Sequence, residues 1–363
     1  MITEQELREL AEVVSDKPII LSLYLHLDRR NRSFEEHKLA LRSLLAQAAE
    51  QGATPADIER IERFFEHEFD RQGRTLVCFS CQALKLWRGY SLLVPGQNAV
   101  YVGRRPYLKP LSDIWDNYGS FGVLMVDREG ARAFTYHLGA LVNTEGMLGA
   151  EVRRHKQGGW AAQKLQRYED QEARHNLKAA AEWADEHLTR HGVERVVLAG
   201  TEENLAEFRE QTPRTLTDKV VGQINLDMNT SPAEAWERAF EIAQQAQRAA
   251  EADLLEQVIT LAHKGGAGAI GLPDTLAAMQ QGRLYHLLVS PRLHAAGYQC
   301  ANCEAVFAET IERCPYCNGP LNQSADVVNL MVHRAIDSGT RVSVLERDER
   351  LNQVGGIAAL LRY

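Results

Sequence analysis

Two pairs of cysteines constrain the fold of the last third of this chain more tightly than any other feature. Cys300 and Cys303 enclose two residues, as do Cys314 and Cys317, and ten residues separate the pairs, which gives the spacing C-x2-C-x10-C-x2-C. Four thiolates that close a tetrahedron leave no open position on the ion, so the pattern favours structural Zn²⁺. Free cysteines and a redox pair are the alternatives, but two pairs at this spacing are far more specific than one. We predict a zinc ribbon at about 298–319 that folds only with its metal.

Composition places the rest of the chain among ordinary folded proteins. The 363 residues are 45% hydrophobic and 25% charged and carry a net charge of −8, which excludes a disordered or fibrous chain. No apolar run approaches the ~18–20 residues of a membrane helix, and the acidic amphipathic start MITEQELREL is not a signal peptide. Cysteine pairs at metal spacing favour a reducing compartment, so we expect a cytoplasmic protein without a membrane partner.

Hydrophobic periodicity divides the chain into three segments. Residues 1–112 combine helical patterns with strand-like runs and predict an α+β unit. Residues 113–245 contain a strand, a hairpin partner, a long helix and a buried strand, an order that predicts an α/β unit with a partly parallel sheet. Residues 246–363 predict a small α/β unit with the cysteine insertion. The helical run from Pro232 to about His263 is long enough to cross the boundary between the second and third segments.

A basic, glycine-containing stretch in the second segment is the clearest candidate for a functional site. Gly158 and Gly159 widen the allowed backbone and permit close approach to a crowded target. No acidic residue occurs from Val152 to Tyr168, so the stretch forms a local surface suited to phosphates, and Trp160 offers a face for a base. The surrounding cations are Arg153, Arg154, Lys156, Lys164 and Arg167. Local composition alone favours an ordinary solvated loop over a binding site.

Several stretches in combination resemble the archaeal and eukaryotic class 1 peptide release factors and their relative Pelota. The sequence HKQGGWAAQKLQR, followed by Arg174-His-Asn, is similar to the motif in which Gly-Gly-Gln leads into a helix. The two-pair cysteine insertion, the stretch from Asp274 to Leu284 and the ending VGGIAALLRY are similar to the last domain of those families. The likeness covers about residues 113–363 and is strongest to the bacterial branch of release-factor homologues, which includes the Vms-like group.

The resemblance implies a three-domain fold with a ribosomal function. Its domains would be an N-terminal α+β domain at 1–112, a central α/β domain with the Gly-Gly loop at 113–245, and a C-terminal domain at 246–363. The last would be an α/β/α domain similar to the kink-turn-binding ribosomal proteins, with the zinc ribbon inserted, and would dock other proteins. The central domain would enter the peptidyl-transferase centre and hydrolyse peptidyl-tRNA there, which makes the ribosome and peptidyl-tRNA the expected partners and a translational GTPase a further one.

The resemblance also implies roles for individual residues. Gly158 and Gly159 would permit entry, and Gln163 would orient a water molecule. The implied RNA contacts are Arg153, Arg154, His155, Lys156, Trp160, Lys164 and Arg167.

Two departures from the family pattern shape the expected activity. Trp160 stands where the glutamine of Gly-Gly-Gln belongs, and Gln163 is the nearest glutamine downstream. The first segment contains no Asn-Ile-Lys-Ser stretch, so we expect rescue of stalled ribosomes rather than stop-codon reading. The alternatives are a Pelota-like factor that binds without hydrolysis and a nuclease acting near the tRNA end, for which His155 has no evident partner.

Overall fold

The structure of this chain is a computed structural model. The described residues are 2–28, 31–150, 160–346 and 348–363. In the helix that begins at Trp160, side chains are described from residue 167 onward.

The chain forms two compact units that both mix helices with sheets. One unit comprises Met1–Asp116 together with Glu251–Tyr363, and the other comprises Asn117–Ala250. The predicted multidomain α/β and α+β character is therefore confirmed. In the described part of the chain, no helix is long and apolar enough to cross a membrane.

The first unit begins with a four-stranded antiparallel sheet in the order β3-β2-β1-β4 and the helices that cover it. Its elements are α1 (Glu4–Glu12), β1 (Ile20–His26), α2 (Phe34–Glu50), α3 (Pro55–Arg63), a π-helical turn (Phe64–Glu68), β2 (Thr75–Cys81), a 3-10 turn (Gln82–Leu84), β3 (Leu86–Leu92), β4 (Ala99–Gly103) and α4 (Lys109–Tyr118). Helix α2 begins at a capping box between Ser33 and Glu36, which satisfies backbone N–H groups that a helix start leaves open. Its leucines at 41, 44 and 45 pack against the sheet.

The second unit is a five-stranded sheet with helices on both faces. Its elements are β5 (Ser120–Val126), β6 (Gly130–His137), β7 (Ala140–Leu148), α5 (Trp160–Arg190), β8 (Arg195–Ala199), α6 (Glu202–Gln211), α7 (Arg214–Thr217), β9 (Val220–Ile224) and α8 (Pro232–His263), which continues into the first unit. The strand order is β7-β6-β5-β8-β9, with β5-β8 and β8-β9 parallel. The predicted hairpin and partly parallel sheet are confirmed, and α5 to α7 pack on one face while the start of α8 packs on the other.

The last segment adds a mixed sheet and a small antiparallel one. Its elements are β10 (Gly268–Ile270), α9 (Gly271–Gln280), β11 (Leu284–Val289), β12 (Gly297–Cys300), β13 (Val306–Phe307), β14 (Leu321–Ser324), α10 (Val327–Asp337), β15 (Arg341–Val344), α11 (Glu349–Gln353) and β16 (Ile357–Leu361). The larger sheet has the order β10-β16-β11-β15, and the three-stranded sheet β13-β12-β14 carries the cysteines. The four cysteines thus lie between β11 and α10.

Buried polar side chains of α10 join the first and last segments into one unit. Asn329 accepts the Leu108 N–H at 3.1 Å and donates to the Pro106 carbonyl at 3.1 Å. The two ring nitrogens of His333 lie 3.0 Å from the Ala11 carbonyl and 2.7 Å from that of Pro106. Burial outweighs these two acceptors and lowers the pKa of His333 to about 4, so the imidazole is neutral near pH 7.

Candidate functional site

The Gly-Gly stretch, by which we mean residues 151–159, lies between strand β7 and helix α5 in the sequence. Residues 151–159 lie outside the described residues, and with them six of the predicted site residues, Arg153, Arg154, His155, Lys156, Gly158 and Gly159. Trp160, Gln163 and Lys164 lie in the first turns of α5, where only the backbone is described. Arg167 follows on the same helix with an exposed side chain. The helix predicted to follow the glycines is therefore present.

One buried side chain of α5 holds the residues that precede this stretch. Asn176 is 1% exposed, and its Oδ1 accepts the Ala150 N–H at 2.9 Å. Its Nδ2 donates to the Ala150 carbonyl at 2.8 Å and to the Arg128 carbonyl at 3.1 Å. We call Gly149 and Ala150 the stem. A single amide thus ties the stem and the β5–β6 turn to the helix that leaves the Gly-Gly stretch.

Glycine at position 149 is required for this arrangement. A Cβ atom there would collide with the Asn176 side-chain amide. The Gly149 N–H also donates to the Glu129 carbonyl at 2.6 Å, which pins the stem to the β5–β6 turn. The same turn is joined to α5 by an ion pair of 2.6 Å between Arg128 and Asp170. Hydrogen bonds from Asn176 and to Glu129 therefore hold the stem, and the ion pair holds the β5–β6 turn to the same helix.

A histidine cluster fixes β7 against α5 farther along the helix. His187 is 2% exposed, and its Nδ1 lies 3.1 Å from Glu145 Oε2. Its ring lies 5.0 Å from that of Trp183 and 4.4 Å from that of His191. Burial, followed by the neighbouring His191, lowers the pKa of His187. Because the imidazole is stacked and neutral near pH 7, the cluster serves to pack the hairpin on the helix.

The two cysteine pairs form two turns of the same geometry. In the first, the Cys300 N–H donates to the Ala305 carbonyl at 2.8 Å, and the Glu304 N–H donates to the Cys300 carbonyl at 3.1 Å. The second turn repeats both bonds around Cys314, at 3.1 and 2.8 Å. Glu304 and Asn318 occupy equivalent positions with φ of 59° and 56°, in the left-handed region that non-glycine residues seldom adopt. Each turn therefore directs its two sulfur atoms toward the same position.

The four sulfurs meet at a distance that suits one metal ion. Cys300 Sγ lies 3.4 Å from Cys317 Sγ, Cys303 Sγ lies 3.5 Å from Cys314 Sγ, and all four lie within 4.8 Å of one another. Metal–sulfur bonds of about 2.3 Å separate tetrahedral ligands by about 3.8 Å. The first cysteine of each pair is buried and the second is exposed. The donor set, its spacing and its half-buried position fit a closed tetrahedral site.

Backbone N–H groups favour the thiolate form of one cysteine in this cluster. The N–H of Cys303, and after it that of Asn302, lower the pKa of Cys300 to about 6. The cluster is also joined to the first segment, because Arg105 Nη2 donates to Glu304 Oε1 at 2.8 Å and Arg105 is 9% exposed. The first cysteine turn thus supports a buried guanidinium as well as two sulfurs.

Comparison with known proteins bears on the segment that contains the stem and the Gly-Gly stretch. Residues 106–244 match the family described as bacterial archaeo-eukaryotic release factor family 10. The peptide chain release factor subunit 1 of Methanocaldococcus jannaschii is 24% identical over 291 residues, which cover 71% of this chain and 69% of that protein. The predicted resemblance to the release factors is confirmed.

Two solved structures align with nearly the whole of this chain at low sequence identity. Pelota of Archaeoglobus fulgidus aligns with 99% of this chain and 92% of its own at 13% identity, with a TM-score of 0.35. Dom34 of S. cerevisiae, a translation termination-like factor, aligns with 99% of this chain and 91% of its own at 8% identity, with a TM-score of 0.43.

Sequence reasoning missed the residues that position the site. Asn176 was visible only as the end of the Arg174-His-Asn match, and its partners Ala150 and Arg128 lie 26 and 48 positions away. A buried asparagine in the middle of a charged helix is the signal that could have found it, because such a side chain needs several partners. The cysteine cluster, by contrast, was found in full.

Proposed function

We propose that this chain is a ribosome-associated rescue factor that hydrolyses peptidyl-tRNA on stalled ribosomes without reading a stop codon. The observation that carries the proposal is the match of residues 106–244 to a release factor family. That range contains the Gly-Gly stretch, and the Asn176 anchor lies within it. An anchored stem supports the proposal because a group that acts at a reacting centre must be held in a fixed geometry.

In the proposed reaction, water attacks the carbonyl carbon of the ester that joins the peptide to the tRNA. The bond to the ribose oxygen breaks, and a proton from the water passes to that oxygen. Gly158 and Gly159 let the backbone enter a narrow site, and Gln163 orients the water. An amide is not a base near neutral pH, so Gln163 is a positioning residue. Ribosomal RNA and donors to the developing oxyanion supply the remaining stabilisation.

The basic residues around the glycines are proposed to bind ribosomal or transfer RNA. The proposed contacts are Arg153, Arg154, His155, Lys156, Trp160, Lys164 and Arg167. Guanidinium and ammonium groups would neutralise phosphates, and Trp160 would stack on a base. Arg167 supports this role because its side chain is exposed on α5.

We further propose that the cysteine cluster is a zinc ribbon at about 298–319. Cys300, Cys303, Cys314 and Cys317 would hold a structural Zn²⁺, whose contribution is to cross-link the two turns. The sulfur separations support one tetrahedral ion. A ribbon with so few apolar residues has little else to hold it folded.

The division into domains and the partners remain part of the same proposal. We assign an N-terminal domain to 1–112, a central domain to 113–245, and a kink-turn-binding-protein-like domain to 246–363. The last would dock a translational GTPase that delivers the protein to an empty ribosomal A site. This setting implies a cytoplasmic location.

One alternative is favoured by a specific residue. Trp160 stands in the position of the family's glutamine, which favours a factor that binds stalled ribosomes without hydrolysis. Cleavage near the tRNA end is the third possibility, in which His155 would act on RNA.

Substitution of Gln163 separates these functions. Ribosomes with labelled peptidyl-tRNA in the P site and an empty A site are mixed with wild type, with Gln163→Ala and with Gln166→Ala, a matched glutamine three residues on. The proposal predicts release by wild type and Gln166→Ala and loss of release, with binding retained, in Gln163→Ala. Equal release by both variants removes Gln163 from the mechanism. Binding without release supports the non-hydrolytic factor, and shortened tRNA supports the nuclease.

A further inference from the structure

A cavity of about 200 Å³ opens in the first segment, beside the start of α2. Its lining includes Arg32, Phe34, His37, Phe65, Phe69 and Arg71. Pockets for drug-sized ligands occupy about 300–1,000 Å³, so this one suits a single ring system. The cavity is far in sequence from the Gly-Gly stretch, and its occupancy does not depend on the proposed activity.

Stacked aromatic rings form the apolar wall of the cavity. The rings of Phe34 and Phe65 lie 5.0 Å apart and nearly parallel, at 4°, and Phe69 follows at 6.1 Å from Phe65. Gly73 makes room for this stack, because a Cβ atom there would come within 2.9 Å of Phe69 Cζ. Aromatic walls of this kind favour a flat, polarisable ligand.

A buried histidine also lines the cavity. His37 is 5% exposed, and its Nε2 makes no hydrogen bond to any residue that the structure describes. Burial, and after it Arg32, lowers the pKa of His37, while the neighbouring carboxylates of Asp28 and Glu36 act in the opposite direction. Because the Nε2 atom itself is fully buried, it does not face the open cavity, so His37 forms part of the wall and offers no hydrogen bond to a ligand.

Two guanidinium groups provide the charge at the mouth of the cavity. Arg32 and Arg71 are both exposed, and the Arg71 guanidinium lies 4.8 Å from the centre of the Phe34 ring. A guanidinium over an aromatic ring is held by cation–π attraction and keeps its N–H groups available. Arginine is well suited to bind phosphate through two parallel hydrogen bonds.

We propose that this cavity binds one nucleotide, with the base against the phenylalanine stack and its phosphate on Arg32 and Arg71. The two guanidinium groups at the mouth favour an aromatic ligand that carries a phosphate over a neutral one. The nucleotide is either a free nucleoside monophosphate or part of an RNA chain, since both present the same base and phosphate.

Ligand-observed NMR on the full-length chain tests this assignment. The probes are the four nucleoside 5′-monophosphates, adenosine without phosphate, and a trinucleotide RNA. We expect saturable binding of at least one monophosphate, weaker binding of adenosine, and about tenfold weaker binding in Arg32→Gln and Arg71→Gln, since each loses a charge-assisted hydrogen bond. Arg63→Gln is the matched control, because its guanidinium pairs with Glu59 outside the cavity.

Each outcome decides the assignment or its source. Binding of the trinucleotide far above that of every monophosphate identifies RNA as the source, provided that both arginine variants weaken it. Absence of binding by every probe overturns the proposal. Equal affinity of wild type, Arg32→Gln and Arg71→Gln also overturns it, because the nucleotide then binds elsewhere.

Discussion

Replacement of Asn176 by alanine removes the side chain that holds the stem of the Gly-Gly stretch. Its amide makes three hydrogen bonds of 2.8 to 3.1 Å to backbone groups of Ala150 and Arg128. Each such bond contributes a net of about 0.5–1.5 kcal/mol, so the loss of all three lowers the free energy of stem opening by about 1.5–4.5 kcal/mol. At 1.4 kcal/mol per factor of ten, the stem opens about 10 to 1,600 times more often.

Hydrogen exchange followed by mass spectrometry measures this opening on the intact chain. The Ala150 N–H should exchange faster in Asn176→Ala by a factor in that range, while the strands of the same sheet keep their protection. Asn176→Asp retains the acceptor for that N–H but turns a buried carboxylate oxygen toward both carbonyls, so it should exchange at least as fast as Asn176→Ala. Asn225→Ala is the control, because Asn225 is exposed in the same unit and should leave Ala150 unchanged.

The opposite side of the same contact provides an independent check. Gly149→Ala adds a Cβ atom that collides with the Asn176 amide, so it should accelerate exchange at Ala150 as well. Unchanged exchange at Ala150 in both Asn176→Ala and Gly149→Ala would refute the claim that this amide holds the stem. Faster exchange over the entire unit would instead show a general loss of stability and would contradict a local role.

Two further predictions concern the first unit. Wild type should contain stoichiometric zinc by elemental analysis and should melt at a lower temperature after chelation. Cys300→Ser should lose the metal, whereas Cys78→Ser should keep it. Wild type that contains no zinc, and whose melting temperature does not change on chelation, would contradict the ribbon. The pKa of His333 falls from about 6.5 to about 4 on folding, so the unfolded chain binds the extra proton between these values and stability declines as the pH falls through them. At pH 5 this lowers the free energy of unfolding by about 2 kcal/mol. In denaturant titrations, the free energy of unfolding of His333→Gln should decline less steeply with falling pH than that of wild type, by the equivalent of one bound proton. Equal pH dependence of the two proteins would refute the assignment.

Features that depend on residues close together in the sequence could be predicted from it. The capping residues Ser33 and Glu36 lie three positions apart and fix the start of α2, and the hairpin of β5 and β6 is closed by a short turn. The cysteine cluster belongs to the same class, because each turn is completed within six residues, as from Cys300 to Ala305. Spacing along the chain therefore carries enough information to predict these features.

Features set by distant partners could not be predicted in this way. Asn176 acts on Ala150, and His333 on Pro106 and Ala11, across separations of 26, 227 and 322 positions. The union of the first and last segments into one unit depends on such contacts. Periodicity reports which face of an element is buried, but it does not report which other element covers that face.

Hydrophobic periodicity does not suggest a reaction for the Gly-Gly stretch, and the proposed reaction comes from the resemblance to release factors. A basic loop with two glycines is common on protein surfaces, and local composition favours no function for it. The match of residues 106–244 and the anchored stem give that stretch a defined setting. Its proposed catalytic role rests on Gln163, whose position departs from the family pattern.

Release of labelled peptide from stalled ribosomes by the wild-type chain is the most direct test of the proposed function. The complexes carry peptidyl-tRNA in the P site and, in the empty A site, either a sense codon, a stop codon or no codon. We predict release well above the rate without protein and equal for all three complexes. Binding without release, or release only at a stop codon, would contradict a codon-independent rescue hydrolase.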